Sequence, residues 1–290
     1  MNRPVAAPRR QAHPSLAIAL GGGGARGLAH IAILEALDEL GVKPAAISGT
    51  SIGAIIGAAY AAGIEARHLH AHVLEAMRDR AQVMAKLLKA RVGRFSDLVL
   101  RGFGNPVMLD AEICLDLFWP ASVPDYFEEL AIPLHVVTTD FHNRCEAVFS
   151  SGALAPAVAG SMALPGLIKP VENGGRVLVD GGAVNPLPYD LLFEAADVVV
   201  AVDVTFGGRT RNRRLPSPFD AMFGAAQIMQ GAITAQKLKL RPPDILVRPH
   251  VEQFGVLEFR RAAQIVRAAE AAKDGLKRDL ELRFEEPRVR

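Results

Sequence analysis

The sequence predicts an α/β fold in which a mostly parallel sheet is covered by helices on both faces. Short apolar runs alternate with helical patterns in the first part of the chain, and later apolar runs are rich in Val. Half of the 290 residues are apolar, whereas 6% are aromatic and 22% are charged. This composition is typical of a globular protein with a large core, and it excludes a disordered or collagen-like chain.

Two strand–turn–helix units are predicted near the start of the chain. Residues 15–20 form a short apolar run, which indicates a buried strand. Apolar residues then recur at helical spacing over 27–40, and Gly41 supplies a C-cap. A strand over 45–48 and an Ala-rich helix over 52–62 follow. Repeated units of this kind favour parallel strands.

The rest of the chain is predicted to be more varied. Further central strands are predicted at 133–139, 176–179 and 197–202. Residues 65–120 carry polar and basic helical segments, which are either solvated helix faces or a cap that meets an amphiphile with an anionic head. Residues 256–285 have the spacing of a long amphipathic helix packed on the outside.

Charge and cysteine usage exclude two classes of function. Lys+Arg 33 against Asp+Glu 31 gives a net charge of +2, whereas nucleic-acid binders carry a strong basic excess. The two cysteines, Cys114 and Cys145, are too few for a disulfide framework or a thiolate metal site. Free thiols suit a reducing compartment, so we expect a cytoplasmic protein.

Membrane segments need consideration because the mean hydropathy is +0.19. Two charge-free stretches, 44–64 and 147–168, are long enough to span a bilayer. Ser, Gly and Pro interrupt both stretches, so we expect neither to span one. The apolar run behind Arg9 and Arg10 is too short for a signal peptide, and we expect an unexported protein.

The first chemical motif is the glycine-rich sequence of residues 22–27, between a predicted strand and helix. Gly22, Gly24 and Gly27 alone match the dinucleotide fingerprint G-x-G-x-x-G. That fingerprint requires an acidic residue about 20 positions later, at the end of the second strand. The second strand here ends in Ser-Gly-Thr instead, so the motif is weak support for a nucleotide.

The second motif, Gly49-Thr50-Ser51-Ile52-Gly53, lies at another strand-to-helix junction. G-x-S-x-G is the pattern of a nucleophile elbow, in which glycines relieve crowding around a strained serine. The alternative is an ordinary Gly/Ser turn before a helix. With the glycine loop on the same sheet edge, the N–H groups of Gly23, Gly24 and Ile52 are expected to form an oxyanion hole.

The third motif is Asp180-Gly181-Gly182, directly after a predicted strand. Without a Cβ on the next two residues, we expect an exposed carboxylate in a tight space; the alternative is an ordinary Asp-Gly turn. One histidine, His250, follows the Asp, as a Ser–Asp–His order requires. No pattern supports it, so the sequence favours a Ser51–Asp180 dyad, with Asp180 as the base. The earlier histidines are interpreted as structural or surface residues; they include His30, His135 and His142.

Together, the three motifs at 22–27, 49–53 and 180–182 resemble the patatin-like phospholipase family in order and spacing. Residues 161–166 and 185–188 resemble the family's segments before and after its Asp strand. The resemblance covers 15–205. It implies a three-layer α/β/α fold and hydrolysis of fatty-acyl esters of (phospho)lipids, without metal, nucleotide or other cofactor.

Residue by residue, the resemblance implies that Ser51 is the nucleophile and Asp180 the general base. It makes Gly22, Gly23 and Gly24 the oxyanion loop. It also implies that Arg26 orients that loop or meets a lipid phosphate. The supporting glycines are Gly27, Gly49, Gly53, Gly181 and Gly182.

The predicted organisation is a flexible leader at 1–14, a catalytic domain at 15–205 with a helical cap at about 65–120, and an extension at 206–290 packed on the same domain. The basic loop at 207–218 is either a solvated linker or a contact for an anionic surface. The expected partners are a lipid or acyl-ester substrate and, peripherally, a membrane. Nucleic acid and nucleotides are not expected partners. The alternatives are an acyltransferase with the same dyad and a lipid-responsive regulatory module.

Overall fold

The computed structural model describes residues 14–78, 91–92, 108–116, 118–205 and 215–285. Almost all of the predicted leader, much of the predicted cap and most of the basic loop lie outside the described residues. The strands are β1 (Leu16–Leu20), β2 (Ala46–Thr50), β3 (Arg91–Val92), β4 (Met108–Leu109), β5 (Leu134–Asp140), β6 (Cys145–Phe149), β7 (Val171–Asn173), β8 (Arg176–Asp180), β9 (Val198–Val202) and β10 (Ile245–Val247). The helices are α1 (Ala29–Leu40), α2 (Ile52–Ala61), α3 (Ala66–Arg78), α4 (Ala111–Leu115), α5 (Leu154–Ser161), α6 (Pro218–Leu240), α7 (Ala262–Ala268) and α8 (Glu270–Glu285).

One large sheet organises the described part of the chain. Its strand order is β10-β9-β1-β2-β5-β8-β7, with β6 also paired to β5. The neighbours from β10 to β5 are parallel, whereas β6, β7 and β8 are antiparallel to their neighbours. The predicted α/β fold with a mostly parallel sheet is therefore confirmed. The strand predicted at 176–179 is present as β8, but it runs antiparallel to β5 and lies next to the edge strand.

Strand β5 brings the ends of two other strands together. The antiparallel β6 pairs along one of its edges, from Val136 to Asp140. The other edge of β5 is therefore shared by two strands. Strand β2 pairs with it up to its last residue, Thr50, which lies opposite Val137. Strand β8 pairs with the next residues, and its last residue, Asp180, lies opposite Thr138. Because β2 and β8 approach from opposite directions, the carboxyl ends of both strands meet on consecutive residues of β5.

The two faces of the sheet are packed differently. Alternate side chains of β1 point to opposite faces: Leu16, Ile18 and Leu20 join a large cluster with α1 and α2. Ala17 and Ala19 face a smaller cluster built around the single-turn helix Tyr189–Leu192. The small alanine side chains let that turn approach the sheet closely.

Several predictions for the helices change with the structure. The long helix predicted at 256–285 is two helices, α7 and α8, joined at Ala269, where the amide bonds back to Val266 and closes α7. Helix α8 packs on α1 with an ion pair between Lys273 and Glu35.

Strands β6, β7 and β10 and helix α6 were not predicted. The charge-free stretch 44–64 contains β2 and α2, and none of the described helices is long and apolar enough to cross a membrane.

Candidate active site

Ser51 lies in a strained turn between β2 and α2. Its φ of 55° and ψ of −123° fall outside the regions that non-glycine residues readily adopt. Flanking glycines make room for the turn. A Cβ on Gly49 would lie 2.6 Å from the Gly53 carbonyl oxygen, and a Cβ on Gly53 would lie 2.1 Å from the Leu20 carbonyl oxygen. The strand-to-helix geometry of the predicted nucleophile elbow is therefore present, with both glycines required by close backbone contact.

The hydroxyl of Ser161 fixes the backbone of this turn. The Ser51 N–H donates to Ser161 Oγ at 2.8 Å, and Ser161 Oγ donates to the Val137 carbonyl at 2.6 Å. Ser161 is fully buried at the end of α5. Sequence reasoning assigned no role to this side chain. The feature of the sequence that could have indicated such a role is a hydroxyl side chain within a charge-free, largely apolar segment.

The Asp180 carboxylate faces the Ser51 hydroxyl. Ser51 Oγ donates to Asp180 Oδ2 at 2.7 Å, and the Gly182 N–H donates to Asp180 Oδ1 at 2.7 Å. The expectation of an exposed carboxylate is wrong, since the residue is 5% exposed. Burial raises the pKa of Asp180 to about 6, while the hydrogen bonds from Ser51 and Gly182 partly oppose that rise.

The two glycines after Asp180 explain its burial. A Cβ on Gly181 would lie 2.2 Å from the Val137 carbonyl oxygen, so this turn packs directly on β5. A Cβ on Gly182 would lie 2.6 Å from Nε2 of Gln230, a residue of α6. The glycines thus allow neighbouring groups to enclose the carboxylate instead of leaving it open to water.

The glycine loop lies beside Ser51. A Cβ on Gly22 would lie 3.5 Å from the Ser51 Cβ. The Gly22 N–H already donates to the Pro186 carbonyl at 2.9 Å. In contrast, the N–H groups of Gly23, Gly24 and Ile52 make no hydrogen bond to other described residues. Of the four residues predicted for the oxyanion hole, these three have an N–H available, whereas the N–H of Gly22 is already bonded.

His30 anchors the start of the glycine loop. Its Nε2 lies 2.8 Å from the Gly21 carbonyl oxygen and must carry the proton of that hydrogen bond, because a carbonyl oxygen only accepts. Complete burial lowers the pKa of His30 to about 4, so the ring is neutral at pH 7. The interpretation of His30 as a structural histidine is consistent with this environment. His250, the alternative base, is exposed after β10.

Arg26 links the glycine loop to a later segment of the chain. Its Nε donates to the Phe254 carbonyl at 2.7 Å, and its Nη2 donates to the Glu252 carbonyl at 3.4 Å. The adjacent Ala25 N–H donates to the Val256 carbonyl at 2.8 Å. These contacts fit the orienting role expected for Arg26. Nothing in the sequence indicated that the partners of Arg26 would come from residues 252–256.

The remaining glycine of the loop allows the two motifs to pack together. A Cβ on Gly27 would lie 2.1 Å from Cγ2 of Ile52, so any side chain there would displace the start of α2. On its other side, Ile52 borders a small apolar cavity. The cavity lining includes Leu28, Ile31, Ile55, Leu69, Val73 and Phe118.

Comparisons with known proteins agree with this arrangement of motifs. A family model described as patatin-like phospholipase matches residues 18–193. An uncharacterized NTE family protein of Mycobacterium tuberculosis is 35% identical over 197 residues, which cover 68% of this chain and 51% of that protein. Patatin-like phospholipase domain-containing protein 6 of Mus musculus is 33% identical over 196 residues, covering 66% of this chain and 13% of that protein.

Among solved structures, VipD from Legionella pneumophila is similar with a TM-score of 0.47 and 16% sequence identity. The match covers 92% of this chain and 67% of that chain. The chain described here spans about half the length of the mycobacterial relatives that it matches.

Proposed function

Because the chain belongs to the patatin-like phospholipase family, we propose that it is a serine acyl hydrolase that cleaves fatty-acyl esters of lipids. Ser51 is the nucleophile and Asp180 the general base. The observation that carries this proposal is the 2.7 Å hydrogen bond from Ser51 Oγ to a buried carboxylate. A serine hydroxyl within hydrogen-bonding reach of a base is the arrangement that nucleophilic catalysis requires.

The first half of the reaction forms an acyl-enzyme. Asp180, with a pKa of about 6, is mostly ionised at pH 7 and accepts the proton of Ser51 as the oxygen attacks the ester carbonyl. Negative charge develops on the carbonyl oxygen. The available N–H groups of Gly23, Gly24 and Ile52 are its proposed donors, and Ser51 caps the N-terminus of α2, whose dipole favours that charge.

The second half releases the products. The protonated Asp180 gives its proton to the alcohol or lysolipid oxygen as the ester C–O bond breaks. Asp180 then accepts a proton from water, whose oxygen attacks the acyl carbon, and returns that proton to Ser51 as the fatty acid leaves. Asp180 carries both protons in turn, so the cycle needs no third residue as a base.

A dyad still needs its base to be oriented. In Ser–His–Asp triads the third residue holds the histidine in place. Here the Gly182 N–H holds Oδ1 of Asp180 and leaves Oδ2 for Ser51.

The test is active-site labelling with a fluorophosphonate probe together with hydrolysis of a short p-nitrophenyl ester. Ser51→Ala is expected to lose both. Ser151→Ala, which alters an exposed serine outside the three motifs, is the control and is expected to retain both. Undiminished labelling of Ser51→Ala would refute the assignment. With a lipid substrate and an alcohol acceptor, release of free fatty acid rather than a transferred acyl group distinguishes hydrolysis from acyl transfer.

A further inference from the structure

Helix α6 turns several large apolar side chains toward solvent and several polar side chains toward the protein. It runs over 23 residues, Pro218–Leu240, and carries no charged residue between Asp220 and Lys237. Surface helices of globular proteins normally turn apolar residues inward and polar residues outward. In α6, Met222, Ile228 and Met229 are exposed, although Phe223 is buried and Leu238 packs against the smaller cluster.

Several polar side chains of α6 face the protein. Gln227 Oε1 lies at hydrogen-bonding distance from Arg26 Nη1, at 3.5 Å. Thr234 is buried. Lys237 Nζ donates to Asn185 Oδ1 at 2.6 Å and also pairs with Asp190. Polar groups therefore provide much of the contact between this helix and the loops beneath it.

The outward side of α6 is apolar. Ile228 is 75% exposed, Met229 61% and Met222 46%. The exposed positions recur every three or four residues and so form a continuous stripe along the helix. The exposed residues along this side are Ala221, Met222, Ala225, Ile228, Met229, Ala232, Ala235 and Leu240, with the polar Gln236 and the basic Lys239 among them.

This stripe lies on a helix that packs beside the candidate active site. On the inner side of the same helix, Gln230 contacts the position where a Cβ of Gly182 would be, and Gln227 reaches Arg26 of the glycine loop. The Met222 methyl group would lie 3.0 Å from a Cβ on Gly166, in the segment before the Asp strand. Helix α6 thus contacts the glycine loop, the Asp180 turn and the segment before the Asp strand.

We propose that α6 docks the protein on a phospholipid bilayer, with the apolar stripe inserted at the boundary between headgroups and acyl chains. This inference rests on the proposed lipid hydrolysis, since a helix seated over the site would bring Ser51 to its substrate. Charge supports the same partner. No acidic residue occurs from Ala221 to Arg241, and the exposed Lys239 and Arg241 at the end of the stripe complement headgroup phosphates.

The experiment measures binding to vesicles without turnover. In a Ser51→Ala background, Ile228→Ser combined with Met229→Ser is compared with the unsubstituted background by co-sedimentation with sucrose-loaded vesicles. One set contains phosphatidylcholine and the other adds phosphatidylglycerol. The control is Leu282→Ser, which removes an equally exposed apolar side chain (63%) from α8. Circular dichroism and thermal unfolding check that each variant is folded.

The background protein and the Leu282→Ser control are expected to bind, and the double variant is expected to lose about tenfold or more in vesicle affinity. Equal binding by the double variant, or no binding by the background protein, would overturn the proposal. So would a concentration-dependent dimer that the double variant abolishes while vesicle binding is unchanged, since the stripe would then cover a second copy of the chain.

The two proposals fail separately. Hydrolysis of a water-soluble ester by the unsubstituted protein tests the chemistry of Ser51 without vesicles. Ser51-dependent hydrolysis together with no vesicle binding would reject the docking helix alone. Vesicle binding through α6 without any Ser51-dependent hydrolysis would reject the hydrolase alone.

Discussion

The two halves of the candidate site are built in different ways. The nucleophile half is local: the glycine loop and the Ser51 turn lie within about thirty residues of each other and depend on backbone contacts that only glycine permits. The base half is assembled from distant segments. Asp180 depends on β5 for its position, on Gly182 for its orientation and on α6 for its burial. The nucleophile half holds the Ser51 backbone in a strained conformation, whereas the base half raises the pKa of Asp180.

The largest expected effect comes from the base half. Asp180→Asn removes the proton acceptor but keeps the shape of the side chain, and we expect kcat/KM to fall by about 10²–10⁴-fold. Measurement of ester hydrolysis checks this. Retained turnover would show that another group, such as the exposed His250, takes the proton.

The same substitution is expected to stabilise the fold. The pKa of Asp180 is raised from 3.8 to about 6 by burial, so the folded state binds more protons and wild-type stability falls as pH rises through that window. We expect Asp180→Asn to be more stable than wild type by about 1–3 kcal/mol above pH 7, with the difference vanishing near pH 4. Urea unfolding at both pH values measures it.

Asp140→Asn provides a control of opposite sign. Hydrogen bonds from Asn143 hold the pKa of Asp140 below its usual value. Its carboxylate therefore contributes stability above its unfolded pKa, and that contribution is lost as pH falls through the lowered folded value. Asp140→Asn should lower stability at neutral pH. Equal responses of the two variants would show that burial does not set the pKa of Asp180.

A smaller effect is expected where the two halves meet, at Ser161. Ser161→Ala leaves the Ser51 N–H and the Val137 carbonyl without their partner, at a cost of about 1–3 kcal/mol of unfolding free energy. Relaxation of the strained turn should also lower kcat by up to about 10²-fold. Thermal unfolding and ester kinetics measure the two effects.

Ser48→Ala is the matched control for Ser161. Ser48 is equally buried and donates to the Pro188 carbonyl at 2.8 Å. Its loss should lower stability without the change in kcat. A comparable fall of kcat in both variants would mean that Ser161 acts through general stability and not through the Ser51 turn.

The smallest expected effect is that of Arg26→Lys. A lysine ammonium cannot reproduce the fork that reaches the Phe254 and Glu252 carbonyls, so the glycine loop should be held less firmly. We expect kcat to fall by less than about 10²-fold, with KM for a neutral ester little changed. A rise of KM confined to phospholipid substrates would instead show that Arg26 contacts a lipid phosphate.

The contrast between the halves also explains what the sequence could predict. The strand ends and the glycines around Ser51 follow from local spacing, and the structure agrees with them to within a few residues. The antiparallel direction of β8, the burial of Asp180 and the contacts of Ser161 depend on segments that meet only in the folded chain. Helix α6 escaped prediction because several of its large apolar side chains face solvent, so its sequence pattern is only weakly related to the core.

The pH dependence of fluorophosphonate labelling, compared between wild type and Asp180→Asn, tests the central claim most directly. If Asp180 is the base for Ser51, the wild-type labelling rate should follow the ionised fraction of a group with a pKa of about 6, constant at higher pH and falling at lower pH. Asp180→Asn should react slowly and without that inflection. An inflection near pH 6 that persists in Asp180→Asn would contradict the account.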